Sequence, residues 1–380
     1  MADQKPKKVA VVGSGCSGIA ALWALKSTCH DVYLYDAAGR LGGHTNTVDW
    51  RRGKYTTRVD TGFIVMNTAT YPNFLSFLDC VGVAAVPTPM TFSVCRDRGA
   101  FEWSGTNADT LFCQRRNIFS PHMWRIIFDI LRFNQFALDL IEDNESPQNA
   151  ASGESIGEYL EREGYSDAFR DDYLIPMTAA VWSTSPDKCS LEFPATTLVR
   201  FLWNHHLLST VAHRPDWLTI DTGSKSYIDA VLEGIPENHV LLNMPVRSVT
   251  NEADGRVRLH LDGGLSEVYD HVILATHGDE TFDIINASAT DEEKDIMACF
   301  HTSQNEAVLH ADKSLLPASR KAWASWNYLS LSSSTSQTGN VIDQPDPDTV
   351  QGRYKYAHPL FTVAAYFAAS KSGTKTAKLV

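Results

Sequence analysis

Three glycines and one acid carry the most specific chemistry in the chain. Gly13-Ser14-Gly15-Cys16-Ser17-Gly18 has the spacing Gly-x-Gly-x-x-Gly, and Asp36 follows 23 residues after Gly13. That combination suits a dinucleotide: Gly13 permits a sharp turn, Gly15 lets a pyrophosphate approach the backbone, and Gly18 lets the next helix pack closely. A carboxylate at position 36 accepts hydrogen bonds from ribose hydroxyls and repels a 2′-phosphate. Glycines at this spacing also serve tight turns in unrelated α/β folds, so the flanking elements decide between the two readings.

Those elements fit a nucleotide site. Val9-Ala10-Val11-Val12 reads as a buried parallel strand, and Ile19 to Thr28, rich in Ala and Leu, predicts a helix. The amides and macrodipole at its N-terminus favour a phosphate. Asp31-Val32-Tyr33-Leu34-Tyr35 predicts a second strand that delivers Asp36 to the same edge.

The 380 residues exceed one simple core and predict two interleaved domains. With 43% hydrophobic and 21% charged residues the composition is that of a soluble globular enzyme. A net charge of −12 speaks against nucleic-acid binding and against general attraction to anionic membranes. The seven cysteines, Cys16, Cys29, Cys80, Cys95, Cys113, Cys189 and Cys299, are scattered without a C-x-x-C pair. They predict reduced thiols in a cytoplasmic protein, with neither a disulfide framework nor a zinc site. Lys5, Lys7 and Lys8 precede an apolar run as in a signal peptide, but Gly13, Gly15 and Gly18 interrupt that run. No segment of 18 apolar residues is present to span a bilayer, and the terminal Lys378-Leu379-Val380 lacks a peroxisomal signal.

Further along, Arg58 to Val65 reads as a strand, and Tyr71-Pro72 opens a helix ending near Gly82. Aromatic residues then crowd in, among them Phe92, Phe101, Trp103, Phe112, Phe119, Trp124, Phe128, Phe133 and Phe136. Ser120 and Pro121 predict the N-cap and first position of a helix through about Glu142, with one polar stripe of Arg125, Asp129 and Arg132. Its other faces, through Ile126, Ile127, Ile130, Leu131 and Phe133, predict a helix that is buried on most sides or lines a lipophilic cavity, core packing being the commoner case. Asn144 to Gly153 reads as a polar loop, Ser155 with Glu158 as a capping box, and Ser330 to Gln337 as a low-complexity loop. From Val240 to Val249, Arg256 to Leu261 and His271 to Thr276 the pattern is strand-like again, turned at Asp262-Gly263-Gly264: a meander returning to the parallel sheet.

From Asp36 to His44 the chain resembles the flavin-containing amine oxidase superfamily, whose members carry an acid-x-x-x-Arg-x-Gly-Gly element after the first βαβ unit. Val59-Asp60-Thr61-Gly62-Phe63, Glu102-Trp103-Ser104-Gly105, Phe193-Pro194-Ala195, Ala275-Thr276-His277 and His358-Pro359-Leu360-Phe361 narrow the resemblance to its branch of NAD/FAD-binding oxidoreductases. The resemblance covers nearly the whole chain to about residue 361. It implies FAD as the cofactor, held by Gly13, Ser14, Gly15, Cys16, Ser17 and Gly18, with Asp36 on the adenosine ribose. Arg40, Gly42, Gly43 and His44 would run along the pyrophosphate toward the flavin, Val246 would meet adenine through its backbone, and Ala275-Thr276 would end a strand near the pyrophosphate. The implied fold is α/β: a Rossmann-type, glutathione-reductase-like FAD-binding domain (1–72, 215–285 and 345–380) with an inserted α+β substrate domain (73–214 and 286–344).

Members of that family continue past the histidine-proline element with a strand and a glycine-rich segment leading into a helix that caps the flavin ring. Here Phe361 leads to an alanine-rich stretch and a polar tail, and the connection from Tyr328 to Tyr354 is short. The resemblance therefore implies a C-terminally shortened member, for which binding of the adenosine diphosphate end of FAD is expected and closure over the ring is not.

Flavin chemistry needs little acid–base machinery, because the cofactor accepts the electron pair. No catalytic residue is assigned from the sequence. His44, His205-His206, Trp182 and Trp326-Asn327-Tyr328 are candidates to face a substrate, although packed roles are commoner for such residues. No metal spacing and no nucleophile-histidine arrangement stands out. Three readings remain: an FAD-dependent oxidoreductase acting on an apolar or amine-bearing small molecule, an NAD(P)-linked dehydrogenase in which Arg40-x-Gly42-Gly43 would lack a role, and a truncated, non-catalytic flavin-fold protein that folds partly or serves as a binding partner. The oligomeric state is not legible.

Overall fold

The computed structural model describes residues 5–143, 154–182, 191, 193–208, 215–332, 344–360, 362 and 365. The loop expected at Asn144 to Gly153, most of the serine-rich stretch after Ser330, Cys189 and, apart from residues 362 and 365, the tail from Phe361 onward lie outside the described residues.

The alternation of the first apolar run sets the architecture. Strand β1 (Lys8–Val12) pairs in parallel with β2 (Asp31–Tyr35) on one side and with His271–Leu274 on the other, and Val240–Leu241 extends the sheet beyond β2. Val11, Val32 and Leu34 point to one face, where Ile19 and Leu22 of helix α1 (Cys16–Lys26) and Tyr227, Ile228 and Val231 of the helix Lys225–Leu232 close a buried cluster. Ala10, Val12 and Tyr35 point to the other, against a meander of Val246–Asn251, Val257–Leu261 and Ser266–Tyr269 and the helix Gly278–Ile285. A parallel sheet covered on both faces is the arrangement such continuous apolar strands require.

Two expected strands change their bounds. The run Val240 to Val249 divides at Asn243, whose φ is 54°. There the chain leaves the parallel sheet, and the backbone amides of Asn243 and Met244 donate to the carbonyls of Ala38 and Asp36. In place of a strand from Arg58 to Val65, β3 (Thr47–Arg52) and β4 (Tyr55–Asp60) form an antiparallel hairpin. Pairing stops there because the Asp60 carboxylate is turned away to accept from Ser224 and Thr47, and because the amide of Phe63 donates to His44 O.

The aromatic region forms its own core around Phe133, Phe169, Met123, Ile126 and Leu198. Its long helix, Pro121–Phe136, starts with Ser120 at the N-cap position and Pro121 at the first turn as expected, although the Ser120 side chain makes no capping hydrogen bond; it ends before Glu142, with a short helix Asp139–Asp143 after it. Ser155 and Glu158 form the expected capping box, with Ser155 N donating to Glu158 Oε2 at 2.8 Å. The strand Phe92–Arg96 lies between Phe101–Ser104, antiparallel, and Trp326–Ser330, parallel. A long ribbon joins His301–His310 to Val350–Leu360, so segments from both sides of the expected division at residue 345 pair with each other.

Glu102 pins that aromatic region together. Its buried carboxylate accepts from the backbone amides of Ala318 at 2.6 Å and Ser319 at 3.0 Å, 216 and 217 residues away in sequence. Removing the acceptor strands two amides, so Glu102→Ala is expected to lower the unfolding free energy by about 3 kcal/mol in a urea titration. Glu102→Gln, which keeps one carbonyl, recovers part of it.

Candidate functional site

The glycine-rich turn and the Arg40 to His44 loop are built against each other. Gly13 turns at φ 96°, its amide donates to Tyr35 O at 2.8 Å, and a Cβ there would stand 2.7 Å from Ala275 O. At Gly18 a Cβ would overlap the carbonyl oxygen of Gly13. Gly15 differs: a Cβ there meets nothing within 4 Å, so the second glycine borders open space. Gly42, at φ 106°, donates to Ser14 O at 3.0 Å and Ser14 Oγ at 3.1 Å, and a Cβ on Gly43 would lie 3.1 Å from the Gly15 Cα. Two glycine motifs thus share one surface, with the N-terminus of α1 beneath it. No side chain caps that terminus and no acid occupies its first turn, which leaves its amides for an anion.

Asp36 stands at the end of β2. Its Oδ2 accepts from Ser14 N at 2.8 Å and from Ser14 Oγ, and its Oδ1 accepts from Ala38 N at 2.8 Å. The carboxylate therefore holds the turn in place and keeps one acceptor position on Oδ1 for a further donor. Arg40 braces its own loop, donating to Gly43 O at 2.7 Å and to Leu41 O and Thr45 O at 3.3 and 3.4 Å.

His44 carries the site's clearest unsatisfied group. Its ring stacks on Tyr356 at 5.3 Å, with His358 at 5.0 Å and His277 at 5.6 Å, and its Nε2 is buried without a hydrogen-bond partner. Tyr356 is fixed by Asn46 Nδ2 at 3.1 Å and Thr61 Oγ1 at 2.6 Å. Burial, then the neighbouring imidazoles His358 and His277, push the His44 pKa from 6.5 down to about 4, and burial lowers His358 as well. The unfolded chain consequently takes up a proton near pH 6.5 that the folded protein refuses until about pH 4. Stability is expected to fall with pH across that window. Melting temperatures between pH 7 and pH 4.5 check the sign, and His44→Phe should flatten the slope.

These residues line one cavity of about 880 Å³. Gly13, Ser14, Gly15, Cys16, Ser17, Asp36, Arg40, Gly42, Gly43, His44, Val246, Ala275 and Thr276 all face it, and Gly18 packs behind Gly13. Sequence reasoning missed an aromatic wall: Phe63, Tyr71 and Phe74, with Phe63 and Phe74 edge-to-face at 5.5 Å, and Tyr227, whose hydroxyl meets Thr45 Oγ1 at 2.7 Å. Gln304, Lys355 and Tyr356 reach it from the long ribbon. Only Phe63 stood in a motif that the sequence singled out. His205 and His206 do not line the cavity among the described residues; His205 stacks on Phe201 at 4.0 Å beside Tyr71. Asn327 is occupied with Ser93 and Ala324. Among the described residues Cys16, Cys80, Cys95, Cys113 and Cys299 are free thiols, no cluster suits a metal ion, and no helix is long and apolar enough to cross a membrane.

The arrangement fits FAD. Open space beside Gly15, uncapped amides at α1, an acid at the end of β2 and a buried imidazole nitrogen in want of a partner are what a long, polar, dinucleotide cofactor would use.

Comparison with known proteins agrees. The model of the flavin containing amine oxidoreductase family matches residues 16–281. An L-amino acid oxidase of Cerastes cerastes is 45% identical over 42 residues, which is 11% of this chain and 8% of that protein. A cyclohexylamine oxidase from Brevibacterium oxydans IH-35A superposes with a TM-score of 0.63 at 16% identity, over 96% of this chain and 78% of the other. A fatty acid isomerase from P. acnes gives 0.58 at 15%, over 94% and 77%, and a putrescine oxidase bound to putrescine gives 0.58 at 16%, over 98% and 79%. At these identities the superpositions speak for the fold.

Proposed function

The chain belongs to the family of flavin-containing amine oxidoreductases, and from that premise we propose that it oxidises or desaturates an apolar or amine-bearing small molecule, with FAD as acceptor. Bound FAD supplies the acceptor for a hydride or electron pair. The observation that carries the proposal is the continuity of the cavity from Asp36 and the glycine-rich turn to the aromatic wall of Phe63, Tyr71 and Phe74.

In this reading Gly13 to Gly18 and the α1 amides bind the pyrophosphate, Asp36 takes the ribose, and Arg40 with Gly42 and Gly43 hold the loop against that turn. Val246 borders the adenine and Ala275-Thr276 the pyrophosphate. His44 stays neutral, because its burial disfavours the charged imidazolium, and its unpartnered Nε2 is left for the cofactor. Phe63, Tyr71 and Phe74 exclude water and offer apolar surface to a substrate. The docking of Gly42 and Gly43 on Ser14 and Gly15 gives the second motif a role that an NAD(P)-linked dehydrogenase leaves without use.

The test is anaerobic reduction of the FAD-loaded protein. Aliphatic and aromatic amines and unsaturated hydrocarbons of graded size are added, and the flavin absorbance is followed. Bleaching by a subset supports the proposal; retention of colour with every compound, in protein that dithionite bleaches, contradicts it.

A further inference from the structure

The helix Pro121–Phe136 has an apolar face on each side. Met123, Ile126 and Phe133 point into the aromatic core. On the opposite face, where a surface helix carries polar groups, stand Trp124, Phe128 and Leu131 at the spacing i, i+4, i+7. They are 51%, 58% and 52% exposed, and Phe119, just before the helix, is 86% exposed. Leu131, expected in the core, therefore faces outward. The Trp124 indole N–H is already satisfied by Ile118 O at 2.7 Å, so the ring offers surface without an unmet donor.

The charge around this face runs against that of the whole molecule. Residues 112–136 hold four arginines, Arg115, Arg116, Arg125 and Arg132, and one acid, Asp129. Asp129 is fully buried and spent on Arg125 at 2.9 Å and Ser166 at 2.6 Å. From other elements, Asp109 pairs with Arg115 and Lys321, and Glu163 lies 3.6 Å from Arg132. The segment is thus net cationic in a chain of net charge −12.

We propose that this face is a peripheral docking surface for an anionic lipid membrane. Exposed Trp, Phe and Leu seat in the boundary between headgroups and acyl chains, and arginines at the margin meet the lipid phosphates. A second copy of the chain fits less well: a twofold interface would set the same arginines against each other. The acidic remainder of the molecule is repelled by the same lipids and so orients this face toward them. With no helix among the described residues long enough to span, the contact is one-sided.

The test uses the full FAD-loaded chain, sedimented with vesicles of three parts phosphatidylcholine to one part phosphatidylglycerol and with phosphatidylcholine alone. The expected result is cosedimentation with the anionic vesicles that weakens as salt is raised. A double variant, Phe119→Ser with Phe128→Ser, should reduce binding about tenfold or more while its FAD content and melting temperature stay those of the parent. Arg116→Glu should weaken binding to the anionic vesicles alone. A parent that stays in the supernatant, equal binding to both vesicles, or undiminished binding by these variants would each overturn the proposal. So would a parent dimer, found by ultracentrifugation, that the double variant converts to monomer without vesicle binding by either protein.

Discussion

Gly15→Val is expected to fold like the parent and to lose affinity for FAD by about two orders of magnitude, close to 3 kcal/mol. A Cβ at position 15 has no non-neighbouring atom within 4 Å, and the backbone there is not in the left-handed region, so the apoprotein has no reason to weaken. It would instead fill the space that a pyrophosphate needs beside the α1 amides. Gly18→Ala is the contrasting case. Its Cβ would overlap the Gly13 carbonyl, and backbone cannot give way as a side chain does, so both folding and cofactor binding should suffer. Apoprotein melting temperature and FAD titration, measured on both variants, separate the two effects.

Asp60→Ala is expected to lower stability by about 3 to 4 kcal/mol in chemical denaturation. Asp60 accepts from Ser224 N at 3.0 Å, Ser224 Oγ at 2.8 Å and Thr47 Oγ1 at 2.5 Å, while Thr47 Oγ1 in turn takes the amide of Lys225 at 2.9 Å. A carboxylate from β4 thereby caps the helix Lys225–Leu232 from across the fold, where its charge also suits the positive end of the helix. Without it those donors lose their partner beside a buried serine. Asp60→Asn, which keeps a carbonyl but loses the charge, should fall between the two.

How legible each part was follows from how local its physics is. The βαβ unit from β1 to Asp36 was readable because apolar strands, a glycine turn and an acid at fixed distance depend on neighbours within thirty residues. The loop from Arg40 to His44 was readable through a family pattern, and its docking on Ser14 and Gly15 gives that pattern a physical reason. The strand bounds near Arg58 and Asn243 were misjudged because partners distant in sequence, Ser224 for Asp60 and Ala38 for Asn243, end the strands. Tyr356 and Tyr227 reach the cavity only through long-range packing, and nothing in their local sequence marks them. Leu131, expected inside, faces outward, because composition does not say which of two apolar helix faces meets solvent.

Whether the purified chain binds FAD is the deciding measurement. Titration of FAD into apoprotein, followed by the absorbance and fluorescence of the flavin, should give saturable binding of about one FAD per chain. The same affinity should weaken sharply in Gly15→Val. A folded, colourless chain that takes up no FAD at any concentration would contradict the account.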